Sequence, residues 1–371
     1  MTAPSPELAL QPSLPIPIQP GHCVTERRFQ GIPGIEVTTS GRLWATWYAG
    51  GKDEGPQNYV TLATSTDAGV TWTEETVIDP PGQVRAFDPV LWLDPLGRLW
   101  WFWAQCFSPQ DGTTSDGRSG VWAVIADNPD APVWGEPFRF ANGVMMNKPT
   151  VLSNGDWAFP TAVWNNRGGG VTPPDLLPEQ FSNLTISADH GKTFFRRGGA
   201  DVPFRSFDEH LTVELNDGRL WMLVRTDYGI GQSFSRDGGA TWTPGFASAI
   251  AGPNSRFFIR RLQSGRLLLV NHVVDFEKPF ERKNLTAWLS DDEGQSWQGG
   301  LLLDARIGVS YPDGKQDDSG NIWIIYDQDR YKGGNILVAV FREEDILAGA
   351  CVSAQARLRI PVSSYPFPAG S

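Results

Sequence analysis

Cysteine, histidine and long apolar runs are what this sequence has least of. Its 371 residues include three cysteines and four histidines. Cys23, Cys106 and Cys351 lie far apart, so neither a disulfide framework nor a cysteine metal site is encoded. No histidine or cysteine cluster has ligand spacing, and neither a metal nor a cofactor is expected. Scarce cysteine fits a reducing compartment. No stretch of about 18 apolar residues is present that would cross a membrane as a helix. The opening MTAPSPELALQPSLPIPIQP lacks a basic n-region and an apolar h-region. A cytoplasmic location is therefore expected, or an exported one with the signal absent from this chain, and no membrane partner. Basic residues are also in the minority, 31 Lys and Arg against 42 Asp and Glu, for a net charge of -11. That balance argues against a nucleic-acid partner, whose phosphates require a basic surface.

What the chain does hold is glycine (40), proline (29) and tryptophan (16), with 40% hydrophobic residues overall. This composition excludes disorder and fits many short strands separated by turns. A turn ending in glycine and leading into an apolar strand recurs six times, at Gly41, Gly97, Gly155, Gly218, Gly265 and Gly320. The intervals are 56, 58, 63, 47 and 55 residues. Each unit has one apolar run before the glycine and room for three after it, which is the four-stranded blade of a propeller. The expected fold is all-β, a six-bladed propeller of four-stranded antiparallel blades over residues 28–345. An N-terminal extension (1–27) precedes it, and a tail (346–371) packs on the ring or closes it.

Within the repeats an octapeptide Ser-x-Asp-x-Gly-x-Thr/Ser-Trp/Phe occurs at Ser65–Trp72, Ser187–Phe194, Ser235–Trp242 and Ser290–Trp297. A degenerate copy stands at Ala126–Trp134. Its aspartate suits acceptance of backbone N–H groups in a tight turn, and its aromatic residue suits plugging into the blade, so Asp67, Asp189, Asp237 and Asp292 read as structural.

If the six units superpose, residues at equal distance from the repeat glycine are equivalent around the axis. Nine residues before it stand Ile32, Asp88, Met146, Glu209, Arg256 and Tyr311. Charged groups at strand heads do not suit a dry core, so this end of the channel is the expected ligand-binding mouth, with Lys148 and Asp313 two residues further along. Seven residues after the glycine stand Tyr48, Ala104, Ala162, Arg225, His272 and Asp327, at the same mouth. For Asp88, Lys148 and Arg256 a second reading stands beside ligand binding: buried ion pairs that organise the blades.

The four octapeptides are Asp boxes, and in a Gly/Trp-rich repeat they make the chain resemble the sialidase superfamily of Asp-box, BNR-repeat propellers. The resemblance implies a glycoside hydrolase acting on an acidic glycan, with a tyrosine nucleophile, an activating glutamate, a loop acid/base and three arginines on the substrate carboxylate. Glu209, followed sixteen residues later by Arg225, matches the glutamate and one arginine. Arg282, ahead of the last Asp box, matches a second arginine, and Tyr311 in Val309-Ser-Tyr-Pro-Asp-Gly matches the nucleophile. The acid/base falls at Asp53 or Glu54, before the first Asp box. A phenol suits this role because a carboxylate nucleophile would be repelled by the substrate's own acid group.

One position departs from the pattern. The Arg-Ile-Pro motif that supplies the family's first arginine reads Gly31-Ile-Pro here. Arg85, Arg256 or Lys148 can bring positive charge from another angle, which favours a ulosonic or uronic acid over ordinary sialic acid. Trp47, Trp103 and Trp164 suit sugar stacking or, equally, blade packing. Two other activities stay open. One is a uronate lyase with a histidine base, for which His272 is better placed than His210; the other is a propeller that only binds glycan.

Overall fold

The computed structural model describes residues 6–108, 119–164, 172–275 and 277–365. Six antiparallel sheets follow one another along the chain, each formed by consecutive strands. The first blade runs Gln30–Val37, Leu43–Ala49, Tyr59–Ser65 and Thr73–Ile78 from the axis outward, with Ile16–Pro17 added as a fifth strand on its outer edge. The sixth runs Val309–Gln316, Ile322–Gln328, Asn335–Phe341 and Arg357–Ser363. The chain is thus a six-bladed β-propeller, as the repeat predicts.

The burial pattern explains the radial order. Inner and second strands such as Gln30–Val37 and Leu43–Ala49 are buried at every position. Sheets covered on both faces call for continuous apolar or paired residues rather than alternation. The outermost strand Thr73–Ile78 alternates exposed and half-buried positions before its buried end, because one of its faces meets water. The repeat glycines close the turns between first and second strands, all with φ between 81° and 89°, a region that disfavours any residue with a Cβ. This backbone requirement is why the repeat shows so plainly in sequence.

The Asp boxes fill the turns between third and fourth strands, on the face opposite the strand heads. In the first, Asp67 Oδ1 accepts the Val70 and Thr71 backbone N–H groups and the Ser65 hydroxyl, while Oδ2 accepts the Thr71 hydroxyl. The box glycines also carry blade contacts. A Cβ on Gly191 or Gly294 would come within 2.5 Å of Trp100 or Trp221, respectively, in the preceding blade.

The first and last blades share no strand. Side chains of the sixth join them: Asp327 Oδ2 accepts the Ile32 N–H at 2.8 Å, and Asp313 Oδ2 accepts the Ile35 N–H at 2.9 Å.

Candidate active site

Three of the six strand heads carry the same distortion. Register slips between Gly31 and Gly34, Phe87 and Val90, and Ser310 and Asp313, so each inner strand bulges at the mouth. In each bulge a residue with positive φ precedes proline: Ile32 (58°), Asp88 (48°) and Tyr311 (54°). Proline has no N–H to lose from the ladder, and the bulge re-aims the side chain before it. Residues before proline rarely adopt this backbone, so the fold holds these positions under strain. The repeated Ile-Pro, Asp-Pro and Tyr-Pro dipeptides are a sequence signal for the bulges that the repeat analysis passed over.

Glu209, Tyr311 and Arg225, placed together by the repeat alignment, and Arg282, added by the family resemblance, converge at one site. The Tyr311 hydroxyl donates to Glu209 Oε1 at 3.0 Å. Arg225 Nη1 donates to the same carboxylate oxygen at 2.5 Å and to the tyrosine oxygen at 3.1 Å. Asn254 orients this pair of arginines, accepting from Arg225 Nε through its side chain and from Arg282 Nη2 through its backbone carbonyl at 3.0 Å. The Arg282 guanidinium lies over the Tyr311 ring at 5.4 Å.

A further arginine, Arg330, lies over the same ring at 4.4 Å. It stands three residues beyond Asp327, in the loop after the second strand of the sixth blade, outside the positions compared between repeats. Sequence reading therefore missed it. A pocket of about 340 Å³ opens here, lined by Glu54, Arg225, Arg282, Tyr311, Arg330 and Tyr331 among others. An adjoining recess of about 60 Å³ is bounded by Tyr48, Glu54, Asp88, Trp164, Phe207 and Tyr311, with Glu209 at its wall.

Burial, and next the Glu209 carboxylate, push the Tyr311 phenol above its ordinary pKa against the opposing pull of Arg225, Arg282 and Arg330. The resting tyrosine is neutral and hydrogen-bonded to Glu209. Glu209 Oε2 is buried with no hydrogen-bond partner. Burial, then the charge of Glu54, drives the Asp88 carboxyl well above its usual range, so it suits a neutral donor at the recess.

The structure separates the two acid/base candidates. Glu54 is half-buried and lines both the pocket and the recess. Asp53 is exposed, and its Oδ1 accepts the Glu54 backbone N–H at 2.7 Å. Arg85 is fully buried beside them, with Glu54 Oε2 at 3.8 Å and the Phe87 ring at 4.2 Å. None of its guanidinium nitrogens has a hydrogen-bond partner.

Three other residues expected at the site lie elsewhere. Lys148 donates to the Leu91 carbonyl at 2.5 Å and to that of Ile35, and it pairs with Asp313 and Glu36 at 3.3 and 3.4 Å. Arg256 donates to Asn147 Oδ1 at 2.7 Å and stands 3.6 Å from Asp313 Oδ1. Both belong to an ion network around the axis beneath the mouth, the structural alternative for these side chains. Burial works to raise the Glu36 pKa, but Lys315, Lys148 and two backbone N–H groups overcome it and hold the carboxyl low. His272 lines a separate apolar cavity of about 280 Å³ between the fourth and fifth blades. There Nε2 faces the Ser255 hydroxyl at 3.1 Å, and burial lowers its pKa to about 3. His210 is likewise turned away from the pocket, its ring nitrogens facing the Asp208 and Asn183 carbonyls at 2.8 and 2.7 Å.

Of the tryptophans, Trp47 and Trp103 are fully buried in their blades, and Trp164 borders the recess. Among the described residues, no group of three or more His, Cys, Asp or Glu side chains is placed to hold a metal ion.

Comparison with known proteins agrees with this architecture. The model of the BNR repeat-like domain family matches residues 41–324. The sialidase of Vibrio cholerae serotype O1 is 29% identical over 197 residues, covering 44% of this chain and 25% of that protein. The chain thus spans about a quarter of that relative's length. Among solved structures, the Hadza microbial sialidase Hz136 superposes with a TM-score of 0.66 at 21% identity, covering 86% of this chain and 66% of that one. The intramolecular trans-sialidase from Ruminococcus gnavus superposes with a TM-score of 0.67 at 15% identity, covering 88% and 97%. At these identities the superpositions establish the fold.

Proposed function

The chain belongs to the BNR repeat-like domain family, within the sialidase superfamily, and on that footing we propose that it is an exo-acting glycoside hydrolase releasing an acidic sugar from a glycan. The sugar is a sialic-like, ulosonic or uronic acid. The observation that carries the reading is the buried hydrogen bond between Tyr311 and Glu209, roofed by arginines beside an open pocket.

The chemistry follows from that arrangement. As the Tyr311 oxygen attacks the anomeric carbon, its proton passes to Glu209, so no charged nucleophile has to approach an acid sugar. The glycosidic C–O bond breaks, and its oxygen takes a proton from the acid/base, a role that Glu54 suits better than Asp53 because it lines the pocket. Water, deprotonated by the same residue, then displaces the tyrosyl oxygen, and Glu209 returns the proton to Tyr311. Two displacements retain the anomeric configuration. The positions of His272 and His210, both away from the pocket, favour hydrolysis over elimination by a histidine base.

A panel of aryl glycosides of sialic, deaminated sialic, other ulosonic and uronic acids, with products followed by NMR, tests the reading. The expected first product is the free acid sugar with its anomeric configuration retained. An unsaturated sugar, or no turnover on any member of the panel, would overturn it.

A further inference from the structure

Position 31 has no side chain, and its surroundings leave no room for one. An ideal Cβ there would lie 2.8 Å from Asp327 Oδ2, 3.1 Å from Arg330 Cβ and 3.4 Å from Arg330 Cδ. The volume into which an arginine at that position would grow is therefore already held by residues of the sixth blade.

What fills it is a fixed guanidinium. Arg330 Nη2 donates to the Ser310 hydroxyl at 2.8 Å, and Nε stands 3.6 Å from Asp327 Oδ2. Asp327 is itself held by the Ile32 N–H and the Ser310 hydroxyl. The backbone is anchored too, since the Arg330 carbonyl accepts the hydroxyl of buried Tyr365 at 3.1 Å. The preceding residue, Asp329, takes a positive φ of 56° that aims the loop. Arg330 is thus pre-organised, which is the property an arginine needs to grip a carboxylate without losing side-chain freedom on binding.

Arg225, Arg282 and Arg330 surround one phenol and line one pocket. Arg225 is paired with Glu209 and Arg330 with Asp327. Arg282 donates to a backbone carbonyl, and no carboxylate of the described residues is within ion-pair distance of it. One further anion is what the set can take.

We propose that Arg330 completes a three-arginine carboxylate grip, delivered by the sixth blade into the space left by Gly31, so that the acid group is held by blades four, five and six. The inference rests on the reading of this pocket as an acidic-sugar site and specifies how it selects for charge. Glycine at position 31 is then a requirement of this grip rather than the loss of one.

Calorimetric titration of the intact protein separates the two ideas. The ligands are 2-deoxy-2,3-didehydro-N-acetylneuraminic acid, 3-deoxy-D-manno-octulosonic acid and glucuronic acid, each measured beside its methyl ester. For at least one acid the unaltered protein should prefer the acid over the ester. Arg330→Ala should then weaken that acid by about 10- to 100-fold and leave the ester nearly unchanged. Arg330→Lys should fall between, since a point charge lacks the planar fork. The double variant Arg330→Met with Asp327→Asn removes both members of the buried pair and should lose the same preference with the fold intact. Unchanged acid affinity in Arg330→Ala, or equal losses for acid and ester, overturns the role of Arg330. Failure of the unaltered protein to bind any of the three acids overturns the acidic-sugar reading itself.

Discussion

The two faces of the ring use the same residue types to opposite ends. On one face, Asp67 and Asp237 are exposed and Asp292 half-buried, and each is held by hydrogen bonds from its own turn, led by the hydroxyl four residues ahead, which lowers its pKa to about 2. On the other, Asp88 is buried at a strained backbone position, and burial drives its carboxyl far the other way. The turns saturate their aspartates with partners from within eight residues of chain. The mouth leaves Glu209 Oε2, the Tyr48 hydroxyl and the Arg85 guanidinium buried without hydrogen bonds. A turn that satisfies its carboxylate locally is finished; a mouth that strands charged and hydroxyl groups in a low-dielectric pocket is poised for a ligand or a proton. Residue identity does not distinguish the two, and the range over which partners are drawn does.

The contrast is open to direct attack. Tyr311→Phe should lower turnover on an acidic aryl glycoside by about 10⁴-fold or more. Glu209→Gln should lower it by about 10²- to 10⁴-fold, with melting temperatures close to that of the unaltered protein. Near-normal rates in either variant would make the mouth as inert as the opposite face. Lys148→Met should cost about 3 kcal/mol or more in chemical denaturation, because it leaves buried Glu36 and Asp313 short of a cation. A smaller loss would mean that Arg256 and Lys315 alone balance the axis.

Asp67→Ala should lower the melting temperature by a few degrees at pH 7 without changing turnover. Its folded pKa lies below the ordinary 3.8, so its stabilisation is present above that pH and is lost as pH falls toward about 2. The gap between variant and parent should close over that interval in an acid melting series. Asp88→Asn should give the smallest effect and the opposite sign. The folded pKa is raised, so the parent is penalised as pH climbs above the ordinary carboxylate value, whereas below it both forms are neutral and alike. The variant should melt slightly higher at pH 7, with the difference vanishing below about pH 4. A lower melting temperature at pH 7 would show Asp88 ionised and paired.

Much of this was legible in the sequence because propeller geometry translates chain position into angle. Equal offsets from six glycines were enough to gather Glu209, Tyr311 and Arg225, which are far apart along the chain, and the family resemblance added Arg282. The same offsets also selected Lys148, Arg256 and His272, which do not face the pocket. Whether a strand-head cation meets ligand or carboxylate depends on residues of other blades, Glu36 and Asp313 for Lys148 and Asp313 for Arg256, and nothing local records that pairing. Arg330 escaped for the converse reason. It sits beyond the compared offsets, in a loop whose length differs from blade to blade, and its importance depends on the missing side chain of Gly31, a contact between the first and sixth blades. The edge strand Ile16–Pro17 is two residues long, too short for any periodicity to mark.

The seam between first and last blades also sets an order of events during synthesis. Its hydrogen bonds join residues 278 and 295 positions apart, so the ring cannot shut until the sixth blade has been made. Tyr311 and Arg330 arrive with that final segment. A nascent chain ending before them already holds Glu209, Arg225 and Arg282 but neither Tyr311 nor Arg330, so the pocket these residues line stays incomplete until the sixth blade is made.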